Sequence, residues 1–142
     1  MLYLTGEYSH QMDTKNRIRI PNKLKGDEKS LYFAKGPNHR IFVFYESEFH
    51  EFVRKIAENT KLSDAVQSKA KDIILKSAFF VDGDAQGRMI LPTKLKEYAN
   101  IDRDVVICGA GDHINVWAKE TYDKFYADED SEFDNLFTGL NI

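Results

Sequence analysis

Several features that define other classes of protein are missing from these 142 residues. No apolar run approaches the roughly 20 residues that a membrane-spanning helix needs. The first ten residues carry neither the basic segment nor the apolar segment of a secretory signal peptide. We therefore expect a cytoplasmic protein with no membrane partner.

Cysteine occurs once, as Cys108. A lone thiol excludes a disulfide within the chain and any metal site made only of cysteines. The residue lies in the apolar, strand-like run 105–111. Because free cysteines are among the most buried residues, we predict a buried core thiol rather than a nucleophile.

The sequence also lacks an arrangement of side chains that would support catalysis or metal binding. Its four histidines have no metal-ligand spacing, and no Ser/His/Asp or Cys/His set has a recognisable order. Asp82 and Asp84 resemble a metal-binding Asp-x-Asp, but Asp and Gly are equally typical of turns. We favour the turn and expect no enzymatic activity, no metal and no cofactor. A metal-dependent enzyme that uses these two aspartates stays as a separate hypothesis.

Net charge is small, since 20 basic and 23 acidic residues leave −3. Domains that bind nucleic acid are usually basic, so this balance by itself argues against one. The charge is unevenly placed, however. Residues 13–25 hold five basic side chains and one acid, whereas residues 128–134 hold five acids and no base. The total therefore conceals a basic segment and an acidic stretch.

Hydrophobic periodicity and turn residues predict alternating strands and helices. In the first half we predict strands at 3–8, 17–20, 31–35 and 41–45 and helices at 48–58 and 62–75. In the second half we predict strands at 78–82, 88–91, 104–109 and 113–117 and helices at 92–99 and 118–126. Ser47 is the predicted N-cap of the helix at 48–58. Apolar residues at helical spacing between 133 and 140 predict a segment that docks on the chain's own body or on a neighbouring subunit.

An internal repeat with a spacing of 71 residues organises the chain. At that spacing six pairs are identical: Asp13/Asp84, Arg17/Arg88, Pro21/Pro92, Lys23/Lys94, Leu24/Leu95 and Lys25/Lys96. We predict one domain, 1–142, made of two repeats at about 1–76 and 77–126, followed by an acidic link and an apolar segment at 127–142. Each half is too small to bury a core separately, so we expect the halves to interleave into one barrel.

The repeated motif is Asp-x-x-x-Arg, present as DTKNR and as DAQGR. Asp favours the first position of a type I turn, and Gly or Asn tolerates the positive φ that its end requires. A carboxylate held by the turn can pair with the guanidinium and fix its direction. Such a planar cation suits phosphate oxygens or the O6/N7 edge of guanine. A single copy would be explained by turn formation alone, but two copies favour nucleic acid as a repeated ligand.

The segments GEYSHQMDTKNRIRIP and DAQGRMILPTKLKEYANIDRDVVICGAGDHINVW resemble the MraZ family of bacterial transcriptional regulators, which is related to the AbrB-type proteins. The resemblance covers residues 1–126. It implies an α+β fold, a pseudo-twofold swapped-hairpin (double-split) β-barrel with added helices. It also implies a homo-oligomeric ring, with an octamer as the expected size, that is associated with the nucleoid. The implied function is binding of short DNA repeats, to repress the promoter of the division and cell-wall gene cluster that includes its own gene.

The site residues follow from the matching positions. Asp13, Arg17, Asp84 and Arg88 match the family's motif, Lys15 matches its usual basic position, and Arg19 adds charge beside the first copy. Two departures are Asn16, where the family usually has Gly, and residues 115–117, where an acid is more common. An alternative is an AbrB-like interaction module of the antitoxin type, whose working surface would be the acidic stretch and the apolar C-terminal segment.

Overall fold

The structure, a computed structural model, describes residues 3–141. Its strands there are β1 (Glu7–Gln11), β2 (Arg17–Arg19), β3 (Ser30–Lys35), β4 (Ile41–Phe44), β5 (Phe79–Asp82), β6 (Arg88–Ile90), β7 (Asp104–Gly109) and β8 (Ile114–Ala118). Its helices there are α1 (Asn22–Lys25), α2 (Glu46–Ala57), α3 (Asp64–Ser77), α4 (Thr93–Tyr98), α5 (Lys119–Phe125) and α6 (Glu129–Leu140). The fold is therefore of the α+β class, as predicted. Across the described residues, no helix combines the length and apolar character needed to cross a membrane.

All strand pairing is antiparallel, and it exchanges strands between the two repeats. Six strands form one sheet in the order β1-β7-β8-β4-β3-β5, and β2 pairs with β6 in a separate two-stranded ribbon. The first strand of each repeat thus pairs with the hairpin of the other, as β1 with β7 and β5 with β3. The two hairpins, β3–β4 and β7–β8, meet through β4 and β8 at the centre of the sheet. Neither repeat completes a sheet by itself.

The ribbon is attached to the rest of the fold through its inner face. Ile18 and Met89 lie directly opposite each other in the ribbon, and both are at most 1% exposed. The short helices that follow the ribbon strands each bury one leucine, Leu24 in α1 and Leu95 in α4. Full burial of a side chain of this size contributes ~1.5–3 kcal/mol. The inner face of the ribbon therefore belongs to the core, and its outer face is left to solvent.

The first strand begins at Glu7, so the predicted strand at 3–8 was wrong in its position. Gly6 has a φ of 99°, which turns the backbone just before the ladder with β7 begins. Gly109 of β7 permits the close crossing, because a Cβ there would lie 2.4 Å from the backbone nitrogen of Thr5. The boundary is thus set by a contact between residues far apart in the sequence, which local alternation does not reveal.

The predicted N-cap of α2, Ser47, was also wrong. The helix begins two residues earlier than predicted, at Glu46, after Tyr45 as the N-cap, and no side chain caps it. The Tyr45 hydroxyl instead donates a hydrogen bond to the carbonyl of Leu24 at 2.5 Å. A tertiary contact therefore places the start of this helix, whereas the Ser63 side chain caps α3 in the ordinary way.

The acidic stretch at 128–134 is helical, so the prediction of a separate acidic link was wrong. α6 begins at Glu129 and carries acids in its first turn, where they complement the helix macrodipole. Its apolar residues remain between 38% and 57% exposed: Phe133, Leu136, Phe137 and Leu140. Within the described part of the chain, this apolar stripe is therefore not buried.

Cys108 is half-buried at the end of β7, so its predicted place in the core was wrong. It lies opposite Glu7 of the edge strand β1. Burial, together with the charges of Glu7 and Glu129, raises the pKa of the thiol to about 11. The thiol is therefore protonated at neutral pH, and a protonated thiol is a poor nucleophile.

Candidate nucleic-acid interface

The first turn, at residues 13–17, is closed by its own backbone and by one carboxylate. The N–H of Asn16 donates to the carbonyl of Asp13 at 3.1 Å, and Asn16 has a φ of 59°. Asp13 Oδ1 accepts the backbone N–H groups of Lys15 and Arg17, both at 2.9 Å. Asp13 Oδ2 accepts Nε–H of the Arg17 side chain at 2.6 Å. The same carboxylate therefore shapes the turn and aims the guanidinium.

The second turn, at residues 84–88, repeats this arrangement bond for bond. The N–H of Gly87 donates to the carbonyl of Asp84 at 2.9 Å, and Gly87 has a φ of 79°. Asp84 Oδ1 accepts the backbone N–H groups of Gln86 and Arg88, both at 2.9 Å. Asp84 Oδ2 accepts Nε–H of Arg88 at 2.8 Å. The turns predicted from DTKNR and DAQGR are thus confirmed in their geometry.

Both turn carboxylates are held in the ionised form. The pKa of Asp13 is lowered chiefly because the backbone N–H of Arg17 donates to it, with desolvation acting in the opposite sense. The pKa of Asp84 is lowered in the same way by the backbone N–H of Arg88. Each arginine side chain therefore donates its Nε–H to a charged partner at neutral pH.

Pairing of β2 with β6 brings the two motifs onto one surface. Arg17 lies opposite Ile90 and Arg19 lies opposite Arg88, while the residue between them on each strand faces the core. In addition, Nη1 of Arg17 is 3.8 Å from Oδ2 of Asp84, so the first arginine contacts the carboxylate of the second motif. Three arginines from two repeats therefore share the outer face of the ribbon.

This face has a composition that folding alone does not favour. Like charges directly opposite each other in an antiparallel pair are destabilising, and Arg19 and Arg88 are such a pair. Ile90, on the same face, is 62% exposed. Violations of local rules of this kind are expected at functional sites. The ion pair of Arg88 with Asp84 offsets part of the repulsion between the two arginines, and an anionic ligand that covers the ribbon would relieve the rest.

The structure brings all six predicted site residues together on the ribbon and its two turns: Asp13, Lys15, Arg17, Arg19, Asp84 and Arg88. Lys15 and Arg19 are exposed to solvent. Two neighbours lie outside this set. Ile90 was not predicted; it is the repeat counterpart of Arg19, so comparison of the two repeats points to it. Lys96 was expected to add a donor around the second copy, but it donates its Nζ–H to Oδ1 of Asn16 in the first turn at 2.9 Å, across 80 residues.

The carboxylates of the alternative metal site, Asp82 and Asp84, are engaged in other hydrogen bonds. Asp82 Oδ1 accepts the Ser30 hydroxyl at 2.5 Å across β5 and β3, and both oxygens of Asp84 are engaged in the second turn. Over residues 3–141, no group of three or more His, Cys, Asp or Glu side chains is placed to hold a metal ion.

Known proteins resemble this chain along most of its length. The family model described as "MraZ protein, putative antitoxin-like" matches residues 3–70 and 74–138. A protein of Ureaplasma parvum serovar 3 named "Transcriptional regulator MraZ" is 32% identical over 140 residues, which is 96% of either chain. Proteins of the same name from Oenococcus oeni and Syntrophomonas wolfei are each 32% identical, over 133 and 136 residues. They cover 92% and 95% of this chain and 92% and 94% of their own length.

The matched residues include most of each repeat and both arginine-bearing turns. The relatives cover nearly the whole chain at more than 30% identity. The chain therefore belongs to the MraZ family.

Proposed function

We propose that this protein is a sequence-specific DNA-binding transcriptional regulator, and no enzyme. Its target in this proposal is the promoter of the division and cell-wall gene cluster that includes its own gene, where it acts as a repressor in the cytoplasm at the nucleoid. The observation that carries the proposal is the pair of turns with equivalent hydrogen bonds, each of which aims an arginine from the same two-stranded ribbon. The names of its relatives, which are transcriptional regulators, support it.

The ribbon is suited to the major groove, which admits a two-stranded β-ribbon. In each turn the carboxylate takes Nε–H of its arginine, so the Nη groups at the far end remain to bind O6 and N7 of guanine or two phosphate oxygens. Lys15 and Arg19 would contact the phosphate backbone, which positions the protein without reading sequence. Asp13 and Asp84 act through the arginines and need not touch DNA.

Oligomerisation reconciles this role with a net charge of −3. We propose a closed ring, with eight copies as the expected number, built from swapped-hairpin barrels. The exchange of strands between repeats supports the barrel, and the uncovered apolar stripe of α6 supports contact between subunits. A ring presents many copies of the ribbon, so individually weak contacts on repeated DNA sites gain from effective concentration.

The test is a gel-shift assay on the DNA upstream of the gene. Arg17→Ala combined with Arg88→Ala should abolish binding while sedimentation shows an unchanged oligomer. Arg54→Ala is a matched control, because Arg54 is also held by carboxylates but lies on α2, away from the ribbon. Unchanged binding by the double variant would remove the proposed site. A footprint at two salt concentrations would then identify the repeats.

A second function, an interaction module of the antitoxin type, is favoured by one observation. α6 carries acids and an apolar stripe that stays exposed among residues 3–141. Deletion of residues 127–142 distinguishes this interaction module from the DNA-binding regulator. Loss of a protein partner with DNA binding retained would favour the module, whereas loss of the oligomer would assign α6 to contacts between subunits.

A further inference from the structure

The two turns differ at their tips, and the difference has a structural consequence. Residue 16 is Asn and its repeat counterpart, residue 87, is Gly, although both adopt a positive φ of 59° and 79°. Gly and Asn both tolerate this conformation, so turn formation does not require the difference. What Asn16 adds is a side-chain amide at the tip of the first turn.

That amide holds a lysine from the other repeat. Oδ1 of Asn16 accepts Nζ–H of Lys96 at 2.9 Å. Lys96 lies on α4, which is fixed beside the turn in two ways. The backbone N–H of Leu91 donates to the carbonyl of Asn16 at 2.9 Å, and Leu95 is buried in the core. The ammonium of Lys96 is therefore held at the tip of the first turn, at the residue that follows Lys15 in the sequence.

The repeat counterpart of Lys96 is Lys25, and it is placed differently. A Cβ added to Gly87 would lie 4.0 Å from Nζ of Lys25, so the fold brings this lysine to the second turn as well. Glycine has no side chain to hold it there. Lys25 instead donates to the backbone carbonyl of Glu28 at 3.0 Å, in the loop that follows α1.

We propose that Lys96 is a phosphate-binding residue of the DNA-binding face, and that Asn16 is the positioning residue that holds its ammonium there. An ammonium has three N–H donors, so two remain for phosphate oxygens after the bond to Asn16. Lys25 has no such role, and the first turn is the stronger electrostatic half of the site. This inference rests on the proposed function, because it assumes that the ribbon binds DNA.

The first test measures how binding of a labelled duplex of random sequence depends on salt. Loss of one phosphate contact lowers the slope of log affinity against log salt by about 0.9 per engaged site. We expect this change in Lys96→Ala and no change of slope in Lys25→Ala, the matched control from the repeat. An unchanged slope in Lys96→Ala would overturn the inference, and so would an equal change in both variants, which would indicate a general effect of net charge.

The second test addresses the positioning role by exchanging the tip residues. Asn16→Gly keeps a residue that accepts positive φ but removes the amide, so the further replacement Lys96→Ala should then change the slope much less than in the wild type. Gly87→Asn should supply the second turn with an amide for Lys25, so that Lys25→Ala then changes the slope. If the contact between Asn16 and Lys96 only stabilised the turn, its loss would change the affinity for DNA but not the slope of log affinity against log salt. Equal effects of Lys96→Ala with and without Asn16 would overturn the positioning role.

The outcomes also separate this inference from the proposed function. Circular dichroism and sedimentation confirm that each variant is folded and assembled. If the wild type binds neither the random duplex nor the upstream DNA, both proposals fail. If the wild type binds and Arg17→Ala with Arg88→Ala does not, while Lys96→Ala keeps the wild-type slope, only the role of Lys96 is refuted.

Discussion

Replacement of the two ribbon arginines by lysine should separate reading of bases from attraction to phosphates. Arg17→Lys and Arg88→Lys keep the positive charge but remove the planar fork and the Nε–H that each turn carboxylate accepts. We therefore expect the salt dependence of binding to stay near that of the wild type, because it reports the number of phosphates neutralised. Preference for the specific sequence should fall.

The size of the loss follows from the geometry of the donors. A bidentate contact to guanine is worth ~1–3 kcal/mol of discrimination, or roughly 5- to 150-fold per arginine. The two losses should not add fully, because Arg17 also lies 3.8 Å from the carboxylate that orients Arg88. Lysine at position 17 therefore also changes the surroundings of Arg88. The larger single effect is expected for Arg17, which contacts both carboxylates.

Fluorescence anisotropy with upstream and scrambled duplexes at two salt concentrations measures both quantities. The control is Arg54→Lys, which alters a guanidinium held by Glu51 and Glu58 on α2 and should change neither. Equal losses on the two duplexes, with discrimination preserved, would show that the arginines contact phosphate only. That result would refute base reading by the forks while leaving the ribbon as a DNA-binding surface.

Three further outcomes concern stability and reactivity. Ile18→Ala should lower the free energy of unfolding by ~2–5 kcal/mol. The urea transition should shift equally whether it is followed by Trp117 fluorescence or by circular dichroism, because the two repeats share their strands. The pKa values of Asp13 and Asp84 in the fold lie below the ordinary 3.8. Their contribution to stability should therefore be complete above pH 3.8 and lost as the pH falls below it. The urea midpoint of a variant with both aspartates replaced by Asn should lack this acid dependence. Cys108 should react slowly with thiol reagents at neutral pH and faster as the pH approaches about 11, and rapid labelling at pH 7 would contradict its raised pKa.

Features that depend on neighbouring residues were predictable from the sequence. The turns at 13–17 and 84–88 form because the Asp, the residue with positive φ and the Arg lie within five positions of one another. The hairpin predicted at 31–35 and 41–45 is present as β3 and β4, with small changes at its ends. The repeat likewise predicted that Arg17 and Arg88 occupy equivalent places.

Features that depend on contacts between distant segments were not predictable. The start of α2 is set by the Tyr45 hydroxyl on Leu24, and the start of β1 by close approach to Gly109. The bond from Lys96 to Asn16 spans the two repeats. Helical periodicity found the apolar side of α6 but did not show that its acidic residues belong to the same helix, because charge runs occur in both helices and links.

Exchange of strands between the repeats makes the proposed DNA-binding face a property of the entire chain. Arg17 and Arg88 emerge from different repeats, so their separation is fixed by pairing of β2 with β6. Repulsion between Arg19 and its opposite Arg88 costs about 1 kcal/mol or less. Parting the strands to relieve it would expose Ile18 and its buried partner, at ~1.5–3 kcal/mol for each side chain. The free energy gained by burial exceeds the cost of the repulsion, so Arg19 stays opposite Arg88 in the absence of a ligand. In the proposed complex, DNA would bind a ribbon that already has this arrangement, which is the advantage of pre-organisation.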